Sequence, residues 1–359
     1  MSDTLQDIRR KIDALDAKLV KLISTRAKIA QQVGKIKNGA LVYRPEREVQ
    51  VLRRVSEINK GPMPSANLRR IYTEIMSACR ALEDRLAVAY LGPAGTYSQE
   101  AALRHFGGSI ETRSCNTIDE VFKQVETGVI GYGVVPVENS TEGAIGRTLD
   151  LLLTTPAKVC GEIMLPVRQC LMSKVKDYTK ISKIYSHTQS LAQCQHWLSR
   201  HVPGAARIAV VSNAEAARLA ARDSKAGAIA SATAADLYKL NVLARNIQDE
   251  SRNTTRFLVL AREDVAPSGR DKTSLILSTR NVPGAIHELL APLAKNRVSM
   301  TRLESRPART SLWEYVFYID IEGHARDEKV AQALKAIAGK ASFVKNLGSY
   351  PAAPAPNAR

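Results

Sequence analysis

Positively charged side chains and one carboxyl fall on the inward faces of the helices expected at the start of this 359-residue chain. Arg26 and Lys37 are eleven residues apart, so on an α-helix they point within about 20° of each other, about 16 Å apart along the axis. Glu83 lies beside the apolar face of a later helix. Because buried cations need anionic partners, the pattern indicates either an anion cavity inside a helix bundle or the solvated basic face of a coiled coil.

A second set of polar residues lies at the ends of strand-like runs. Glu138 and Asn139 follow the apolar run 134–137, at the carboxyl end of a strand, where open α/β sheets bind ligands. Thr255 comes just before the apolar run 257–260 and could donate a hydrogen bond to a leaving group or simply belong to an edge strand. Arg256 beside it could bind a substrate carboxylate or be structural.

A third set surrounds a proline-glycine turn near the end of the chain. In the segment 281–286, Pro283 and Gly284 precede a helical pattern, and free backbone amides at a helix start can bind a carboxylate. The segment 303–307 supplies polar groups nearby. The alternative is an ordinary loop beside a strand edge.

Three helices are expected to hold the first set. Apolar residues recur at steps of three and four from Leu5 to Ile36, which is a heptad seam interrupted at Arg26. Further helices are expected from Pro45 and over about 66–86. The first helix would be roughly 50 Å long, so a second chain or later helices of this one must cover its seam.

The pattern changes at Val88, where short strands begin to alternate with helices. Alternation of this kind predicts α/β layers with parallel strands, and the length of 88–265 suits two lobes. After residue 269 the order strand, helix, strand, strand, helix, strand predicts a ferredoxin-like unit. The proline- and alanine-rich tail, 351–359, is expected to be disordered.

Composition limits the class of protein. Hydrophobic residues make up 45% and charged residues 24%, as in globular proteins, and no apolar run is long enough to span a membrane. No secretory leader is visible, and five cysteines without close pairing favour a reducing cytoplasm.

The net charge of +17 suits binding to nucleic acid, to an anionic membrane or to small polyanionic substrates. Only 5% aromatic residues and the lack of a recognisable motif argue against nucleic-acid binding.

Three stretches resemble known families. The run LQDIRRKIDALDAKLVKLISTRAKIAQQVGKIK, with YRPERE and IMSACRALE, resembles helical chorismate mutases. The segments AYLGPAGTYSQEAAL, YGVVPVENSTEGAIGRTLD and NTTRFLVL resemble prephenate dehydratase, and NVPGAIHELLAPLA with LESRP resembles the phenylalanine-binding ACT domain. This order is that of the bacterial bifunctional chorismate mutase–prephenate dehydratases (P-proteins), and the resemblance covers nearly the whole chain.

The resemblance implies a multidomain architecture. We expect an all-α intertwined mutase domain over 1–87, a two-lobed, periplasmic-binding-protein-like α/β dehydratase domain over 88–265, and an α+β ferredoxin-like ACT domain over 272–350. It also implies a cytoplasmic homodimer or higher oligomer that converts chorismate to prephenate and prephenate to phenylpyruvate, under feedback inhibition by L-phenylalanine. No cofactor, metal, nucleic acid or membrane is implied.

The resemblance also assigns residues to the mutase site. Arg26 and, from the partner chain, Arg9 would clamp the two carboxylates of chorismate. Lys37 and Glu83 would bracket the ether oxygen, and Arg47 with Glu48 matches a family pair in which the glutamate holds the substrate hydroxyl. Some relatives have glutamine in place of Glu83, and a carboxylate cannot donate a hydrogen bond, so this group should act only when protonated. Two further departures concern residues near the site. Arg44 stands where some relatives have an acidic residue, and Cys79 stands where some have a serine.

For the dehydratase, Thr255 would be the donor to the leaving hydroxyl, supported by Asn139 and Gln193. The resemblance and the positions of the residues add a substrate-binding set: Thr96, Ser98, Glu138, Ser186 and Arg256. The L-phenylalanine site, formed between two paired ACT units, would use a further set: Asn281, Pro283, Gly284, Ala285, Ile286, Glu304, Ser305 and Arg306.

A mutase joined to prephenate dehydrogenase is the nearest alternative enzyme. It would need a G-x-G-x-x-G turn between a strand and a helix to bind a dinucleotide. The nearest run, Gly131–Pro136, ends in proline and continues as a strand, which argues against this alternative.

Overall fold

A computed structural model describes residues 4–37, 43–308 and 315–354, apart from the side chains of Lys35 and Lys37. The chain divides into two compact units. The first comprises Met1–Ala87 with Leu103–Glu111, and the second comprises Val88–Ala102 with Thr112–Arg359. The segment 103–111 therefore packs with the helices rather than with the sheets that surround it in sequence.

The first unit is built on three helices: α1 (Leu5–Lys37), α2 (Pro45–Ile58) and α3 (Ser65–Ala81). Pro45 opens α2 at a position where a missing N–H costs nothing. Helix α1 follows the heptad pattern over its whole length, yet its seam stays largely exposed: Leu15 is 57% and Leu22 66% exposed. Packing of α2 and α3 within one chain thus leaves most of the expected seam uncovered.

Backbone contacts tie residues 103–111 to helix α3. Arg80 Nη2 donates to the carbonyl oxygen of Phe106 at 2.5 Å, and the backbone N–H of Gly108 donates to Glu74 Oε2 at 2.9 Å. Gly107 has a φ of +79°, and a Cβ there would lie 2.4 Å from Ser77 Cβ. Only glycine permits this close approach.

Residues 87–261 contain two mixed sheets. The first has the order β2-β1-β3-β11-β5, with β4 paired to β3, and the second has the order β10-β6-β9-β7-β8. The strands are β1 (Ala87–Leu91), β2 (Glu111–Cys115), β3 (Tyr132–Asn139), β4 (Gly143–Ala144), β5 (Lys158–Pro166), β6 (Cys170–Ser173), β7 (Lys183–Ser186), β8 (Ala206–Ala209), β9 (Ala226–Ala230), β10 (Asn241–Arg245) and β11 (Thr254–Ala261). The helices are α4 (Tyr97–Phe106), α5 (Ile118–Glu126), α6 (Gly146–Thr154), α7 (Thr188–Gln193), α8 (Gln195–His201), α9 (Asn213–Ala220) and α10 (Ala232–Tyr238), with a 3-10 turn at Tyr178–Lys180.

The chain passes to the second lobe after β5 and returns through β11, which gives the expected two-lobed architecture. The expectation of parallel strands is only partly right. Strands β1 and β3 are parallel, as are β7, β8 and β9, but β11 runs antiparallel to both β3 and β5. The returning strand enters the first sheet from the opposite direction, which local patterns do not reveal.

The last region has the expected ferredoxin-like order. Its elements are β12 (Asp271–Ser278), α11 (Ala285–Lys295), β13 (Met300–Pro307), β14 (Tyr315–Glu322), α12 (Glu328–Ala338) and β15 (Phe343–Pro351). The antiparallel sheet, β13-β14-β12-β15, buries alternate residues such as Leu275, Leu277 and Ile319 against the two helices.

The tail does not begin where expected. Pro351 pairs with Asp271 at the end of β15, and the backbone N–H of Ala353 donates to Glu162 Oε1 at 2.9 Å. The expectation of disorder from residue 351 is therefore wrong over 351–354, because this segment supplies hydrogen bonds to a buried carboxylate. Residues 355–359 lie outside the described part of the chain.

Candidate active sites

The first unit brings Arg26, Glu48 and Cys79 to the inner faces of its helices. Glu83 was expected on the third helix, but α3 ends at Ala81 and Glu83 lies in the turn that follows. Arg26 Nη1 lies 3.1 Å from Cys79 Sγ, so the cysteine at this departure from the family pattern contacts the expected carboxylate-binding arginine. Burial raises the pKa of Glu48, and the positive charges of Arg80 and Arg26 oppose that rise. The positive charge of Arg26 therefore acts on the carboxyl that is expected to hold the substrate hydroxyl.

Arg80 is the main functional residue that the sequence analysis missed. Its guanidinium pairs with Glu48, donates to the Phe106 carbonyl and lies 5.2 Å from the ring centroid of Tyr43. Only 6% of the residue is exposed. The signal available in the sequence is its i+4 spacing from the buried Met76, which places Arg80 on an inward stripe of α3.

Glu83 occupies a close-packed position beside α1. A Cβ on Gly34 would lie 2.8 Å from Glu83 Oε2, so glycine at position 34 makes room for the carboxyl. Glu83 Oε2 is buried and has no hydrogen-bond partner within the described residues. A buried acceptor without a partner is costly, and a substrate or a proton on the carboxyl would remove that cost.

Other expected mutase residues are not gathered in one chain. Arg9 and Arg47 are exposed, and Arg9 lies about 25 Å along α1 from Arg26 at 1.5 Å per residue. Arg44, also exposed, lies 3.9 Å from Glu46 in a weak ion pair. The side chain of Lys37 lies outside the described residues. A single protomer thus presents only part of the expected anion site.

In the second unit, a buried network joins Thr255 and Asn139 across β11 and β3. These two residues are opposite each other in the strand register. Asn139 Nδ2 lies 2.8 Å from Thr255 Oγ1 and 2.9 Å from Asn253 Oδ1, and Asn253 Nδ2 lies 3.1 Å from Gln193 Oε1. Three residues expected at the site are therefore brought together, and Asn253 is a fourth that sequence analysis missed.

The hydrogen bonds fix the direction of each amide. Asn139 Oδ1 accepts the backbone N–H groups of Thr141 and Glu142, so its amide nitrogen must face Thr255. Thr255 Oγ1 accepts that bond, which leaves its own hydroxyl hydrogen free to donate elsewhere. At the other end, Gln193 Nε2 is buried without a partner among the described residues. The network thus ends in two unused donors.

Ser186 belongs to a separate cluster in the second lobe. Its hydroxyl lies 2.9 Å from both Asn213 Oδ1 and the Ile229 carbonyl. Asn213 Nδ2 donates to Ser190 Oγ, which also accepts from Gln169. This cluster fixes the start of α7, the helix that carries Gln193.

The start of α4 holds the other two expected substrate-binding residues. Thr96 Oγ1 donates to the Leu91 carbonyl at 3.0 Å, and Ser98 is buried. Between them, the Tyr97 hydroxyl bonds to Gln169 Oε1 at 3.0 Å, and burial raises the pKa of Tyr97 well above its ordinary value. Tyr97 is therefore a neutral donor that links α4 to the second-lobe cluster.

The structure gives Glu138 and Arg256 different partners from those expected. Arg256 bonds to Glu162 at 2.9 Å, Asp320 at 2.5 Å and the Tyr350 hydroxyl at 3.0 Å, and Glu138 pairs with Arg302 at 3.0 Å. Successive residues of a strand face opposite sides of the sheet. Both side chains therefore point away from Thr255 and Asn139, towards the ACT sheet, and the substrate-binding expectation for them is corrected.

The ACT region contains a cavity of about 360 Å³ beside the start of α11, within the range of small-molecule sites. It is lined by Thr279, Arg280, Asn281, Val282, Gly284, Ala285, Ile286, His287, Ser305, Tyr315 and Phe317. Gly284 precedes the helix with a φ of +78°. The cavity combines aromatic rings, an arginine and backbone amides at a helix start, a combination that suits an amino acid with an apolar side chain.

Five of the eight residues expected at the L-phenylalanine site line this cavity. Pro283, Glu304 and Arg306 are not among the lining residues. Arg306 instead lies 3.4 Å from Asp150 of α6, because alternation along β13 turns it to the face opposite Ser305. The other six lining residues were not in the predicted set: Thr279, Arg280, Val282, His287, Tyr315 and Phe317. For the last two, the sequence signal was the aromatic residues of the strand that became β14.

In the described part of the chain, no group of three or more His, Cys, Asp and Glu side chains is arranged to hold a metal ion. Among the helices described, none is both long and apolar enough to cross a membrane.

Sequence profiles of three families match successive parts of the chain. Chorismate mutase type II matches residues 8–84, prephenate dehydratase matches 88–265, and the ACT domain matches 273–339. A bifunctional chorismate mutase/prephenate dehydratase from Neisseria gonorrhoeae is 51% identical over 360 residues, which span 98% of this chain and 99% of the relative.

Two solved structures resemble the dehydratase and ACT regions. Prephenate dehydratase from Arthrobacter aurescens in complex with L-Phe is 31% identical, with a TM-score of 0.69, over 74% of this chain and 90% of that one. GqqA, described as a novel type of quorum quenching acylase, is 30% identical, with a TM-score of 0.69, over 75% and 98%. A shared fold hosts different activities, whereas the full-length relative spans all three regions and the mutase profile covers the region that these two structures lack. The chain therefore belongs to the bifunctional chorismate mutase/prephenate dehydratase family.

Proposed function

We propose a specific assignment of residues for the two successive reactions of phenylalanine biosynthesis that this family performs. The helices of the first unit rearrange chorismate to prephenate. The two-lobed domain then converts prephenate to phenylpyruvate, and the ACT domain binds L-phenylalanine as a feedback inhibitor.

The mutase reaction needs no acid, base or nucleophile, because chorismate rearranges within itself. The enzyme must hold a dianion in a folded shape and stabilise the charge that develops on the ether oxygen. Arg26 supplies one carboxylate clamp, and Glu48, held by Arg80, receives the substrate hydroxyl. Glu83 in its protonated form donates to the ether oxygen, together with Lys37. Arg9 of the partner subunit completes the carboxylate binding.

The dehydratase reaction removes a carboxylate and a hydroxyl from opposite ends of the prephenate ring. As the ring carboxylate leaves as carbon dioxide, its bonding electron pair enters the ring and expels the hydroxyl as hydroxide, which takes up a proton to become water. A hydrogen-bond donor at this oxygen stabilises the negative charge that it gains as it leaves. The free hydroxyl hydrogen of Thr255 is placed to give this hydrogen bond. Gln193 Nε2 is the donor available for a substrate carboxylate. The observation that carries this proposal is that Asn139 donates to Thr255.

Replacing Thr255 tests the dehydratase assignment. Thr255→Val keeps the side-chain shape and removes the donor, so we expect the dehydratase kcat to fall about 100-fold or more while mutase activity is unchanged. Thr254→Val is the matched control, because that hydroxyl bonds to the neighbouring Arg252 carbonyl. Phenylpyruvate formation from chorismate, with and without EDTA, checks the whole sequence of reactions. A Thr255→Val enzyme with normal dehydratase turnover would refute the assignment.

The cavity beside α11 supports the feedback role. We expect Ala285→Phe to fill it, so that 1 mM L-phenylalanine no longer inhibits the dehydratase or raises its melting temperature. Ala294→Phe, on an exposed position of the same helix, should retain both effects. Inhibition that survives in Ala285→Phe would place the effector elsewhere.

The exposed seam of α1 supports a homodimer, since a contiguous apolar stripe of this length is typical of an oligomer interface. The five cysteines are free and buried, which supports a cytoplasmic enzyme.

A further inference from the structure

Two neighbouring dipeptides on adjacent strands combine a catalytic residue with a residue bound to the ACT sheet. On β11 they are Thr255 and Arg256, and on β3 they are Asn139 and Glu138, with Thr255 opposite Asn139 and Arg256 opposite Glu138. The register shifts between Arg256 and the next residue of β11, so a bulge lies beside this catalytic pair. Bulges next to active sites re-aim side chains.

The ACT sheet provides a complementary residue for each outward-facing side chain. Asp320 of β14 accepts from Arg256, and Arg302 of β13 pairs with Glu138. Asp320 is itself fixed by Ser274 at 2.5 Å. The outward residue of each dipeptide is thus bound by a residue outside the dehydratase lobes.

The Arg256 end is buried and balanced in charge. The Glu162 side chain is 1% exposed and binds both Arg256 and Lys272, each at 2.9 Å. Two cations and two carboxylates, counting Asp320, neutralise each other there. Buried ion pairs contribute little net stability but hold their members in one geometry.

We propose that Glu138 and Arg256 are positioning residues of the dehydratase, and that Arg302 and Asp320 of the ACT sheet set the placement of Asn139 and Thr255 through them. The ACT sheet is then a structural part of the dehydratase site in the absence of any effector. The inference rests on the proposed roles of Thr255 and Asn139.

The Glu138–Arg302 pair offers the cleaner test, because removing Arg256 would leave the buried Asp320 without its cation and Glu162 with Lys272 alone. Glu138→Gln and Arg302→Gln should each lower the dehydratase kcat about tenfold with little change in KM, since small misplacements of catalytic groups act on the chemical step. The double variant should lose no more than either single variant, because both remove the same interaction. Mutase turnover of the same preparations measures correctly folded enzyme.

Lys345→Gln is the matched control within the same domain contact. Lys345 Nζ donates to the carbonyls of Leu152, Leu153 and Thr155 at the end of α6, away from the two catalytic dipeptides. It should keep the wild-type kcat. The inference is overturned if the Glu138 and Arg302 variants keep kcat within about twofold of wild type, if their losses add, or if Lys345→Gln loses as much. Thr255→Val distinguishes this inference from the proposed dehydratase site. Full dehydratase activity in that variant would refute the proposed site itself.

Discussion

At the scale of the residue, the two proposed active sites share a feature: each holds a buried polar atom with no protein partner in the described residues. In the first unit this atom is Glu83 Oε2, and in the second it is Gln193 Nε2. Such atoms are costly to bury, and a ligand or a proton at each proposed site would remove that cost. The two atoms would act differently. Glu83 Oε2 would accept a hydrogen bond, or donate one when it is protonated, whereas Gln193 Nε2 would donate one.

Glu83 should be replaceable by glutamine but not by leucine. A carboxyl donates a hydrogen bond to the ether oxygen only in its protonated form, whereas the glutamine amide always carries a donor. We therefore expect Glu83→Gln to retain mutase kcat/KM, and Glu83→Leu, which fills the space without a donor, to lower it about 100-fold or more. Steady-state kinetics on chorismate check this, with dehydratase turnover as the measure of folded enzyme. Equal mutase activity of the two variants would remove Glu83 from the donor role.

Asn253 should be as necessary as the residues it connects. Asn253→Asp keeps the side-chain shape but cannot donate to Gln193 Oε1, and it adds a charge beside Asn139. We expect the dehydratase kcat to fall between about 10- and 100-fold, with mutase activity retained. Asn241→Asp, at an exposed amide that bonds to the Lys174 carbonyl, is the control. Equal activity of the two variants would show that the amide chain is dispensable.

At the scale of the element, alternation along strands decides which side chains serve a site. The sequence predicted the strand that Asn139 was expected to follow, and an edge strand at Thr255 was only the alternative reading. In the structure β3 extends through Asn139 and β11 lies between β3 and β5, and the resemblance placed both residues in one site. It also placed Glu138 and Arg256 in the same site, although adjacent residues of one strand point to opposite faces. The order of residues in β3 and β11 was sufficient to separate the two pairs.

Long-range pairing is the part of the fold that the sequence could not supply. Asn139 and Thr255 are 116 residues apart and meet because β11 inserts between β3 and β5. Arg80 was missed for a similar reason, since the carbonyl it binds belongs to Phe106 in a later segment. Periodicity predicts elements and their buried faces, but not which distant element will cover them.

The end of helix α4 should make stability depend on pH. Burial, together with the positive charge of Arg80, lowers the pKa of His105 to about 4, and its Nε2 lies 2.7 Å from the Tyr43 hydroxyl. Above the unfolded pKa of about 6.5 the ring is neutral in both states. Between pH 6.5 and 4 only the unfolded chain gains a proton, so the free energy of unfolding should fall by roughly 1 kcal/mol per pH unit.

His105→Gln provides the comparison for that slope. Glutamine can still bond to Tyr43 but does not titrate, so the calorimetric transition of the full chain should lose less of its midpoint temperature between pH 6.5 and 4. Identical acid shifts in the wild type and the variant would assign the pH dependence to other groups.

At the scale of the whole molecule, the proposed mutase site is incomplete within a single chain. The seam is exposed along α1, and Arg9 lies far along that helix from Arg26. A second copy that packs antiparallel on the seam would cover the apolar residues and deliver its Arg9 to the site of the first. The pairing of two chains would then both cover the seam and complete the anion site.

Subunit mixing tests this arrangement directly. Arg9→Ala and Arg26→Ala should each abolish most mutase activity, because each removes one carboxylate clamp from every site. When the two variants are co-expressed, half of the dimers should be mixed, and each mixed dimer has one site with both arginines intact. Symmetry therefore predicts recovery to about a quarter of the wild-type mutase activity.

Dehydratase turnover of the co-expressed sample gives the concentration of folded enzyme, against which the recovered mutase activity is scaled. Sites built from a single chain could not regain mutase activity in this way, since every chain lacks one of the two arginines. A mixture as inactive as the separate variants, with dehydratase activity intact, would show that Arg9 and Arg26 serve the same chain and that the seam is covered for some other purpose.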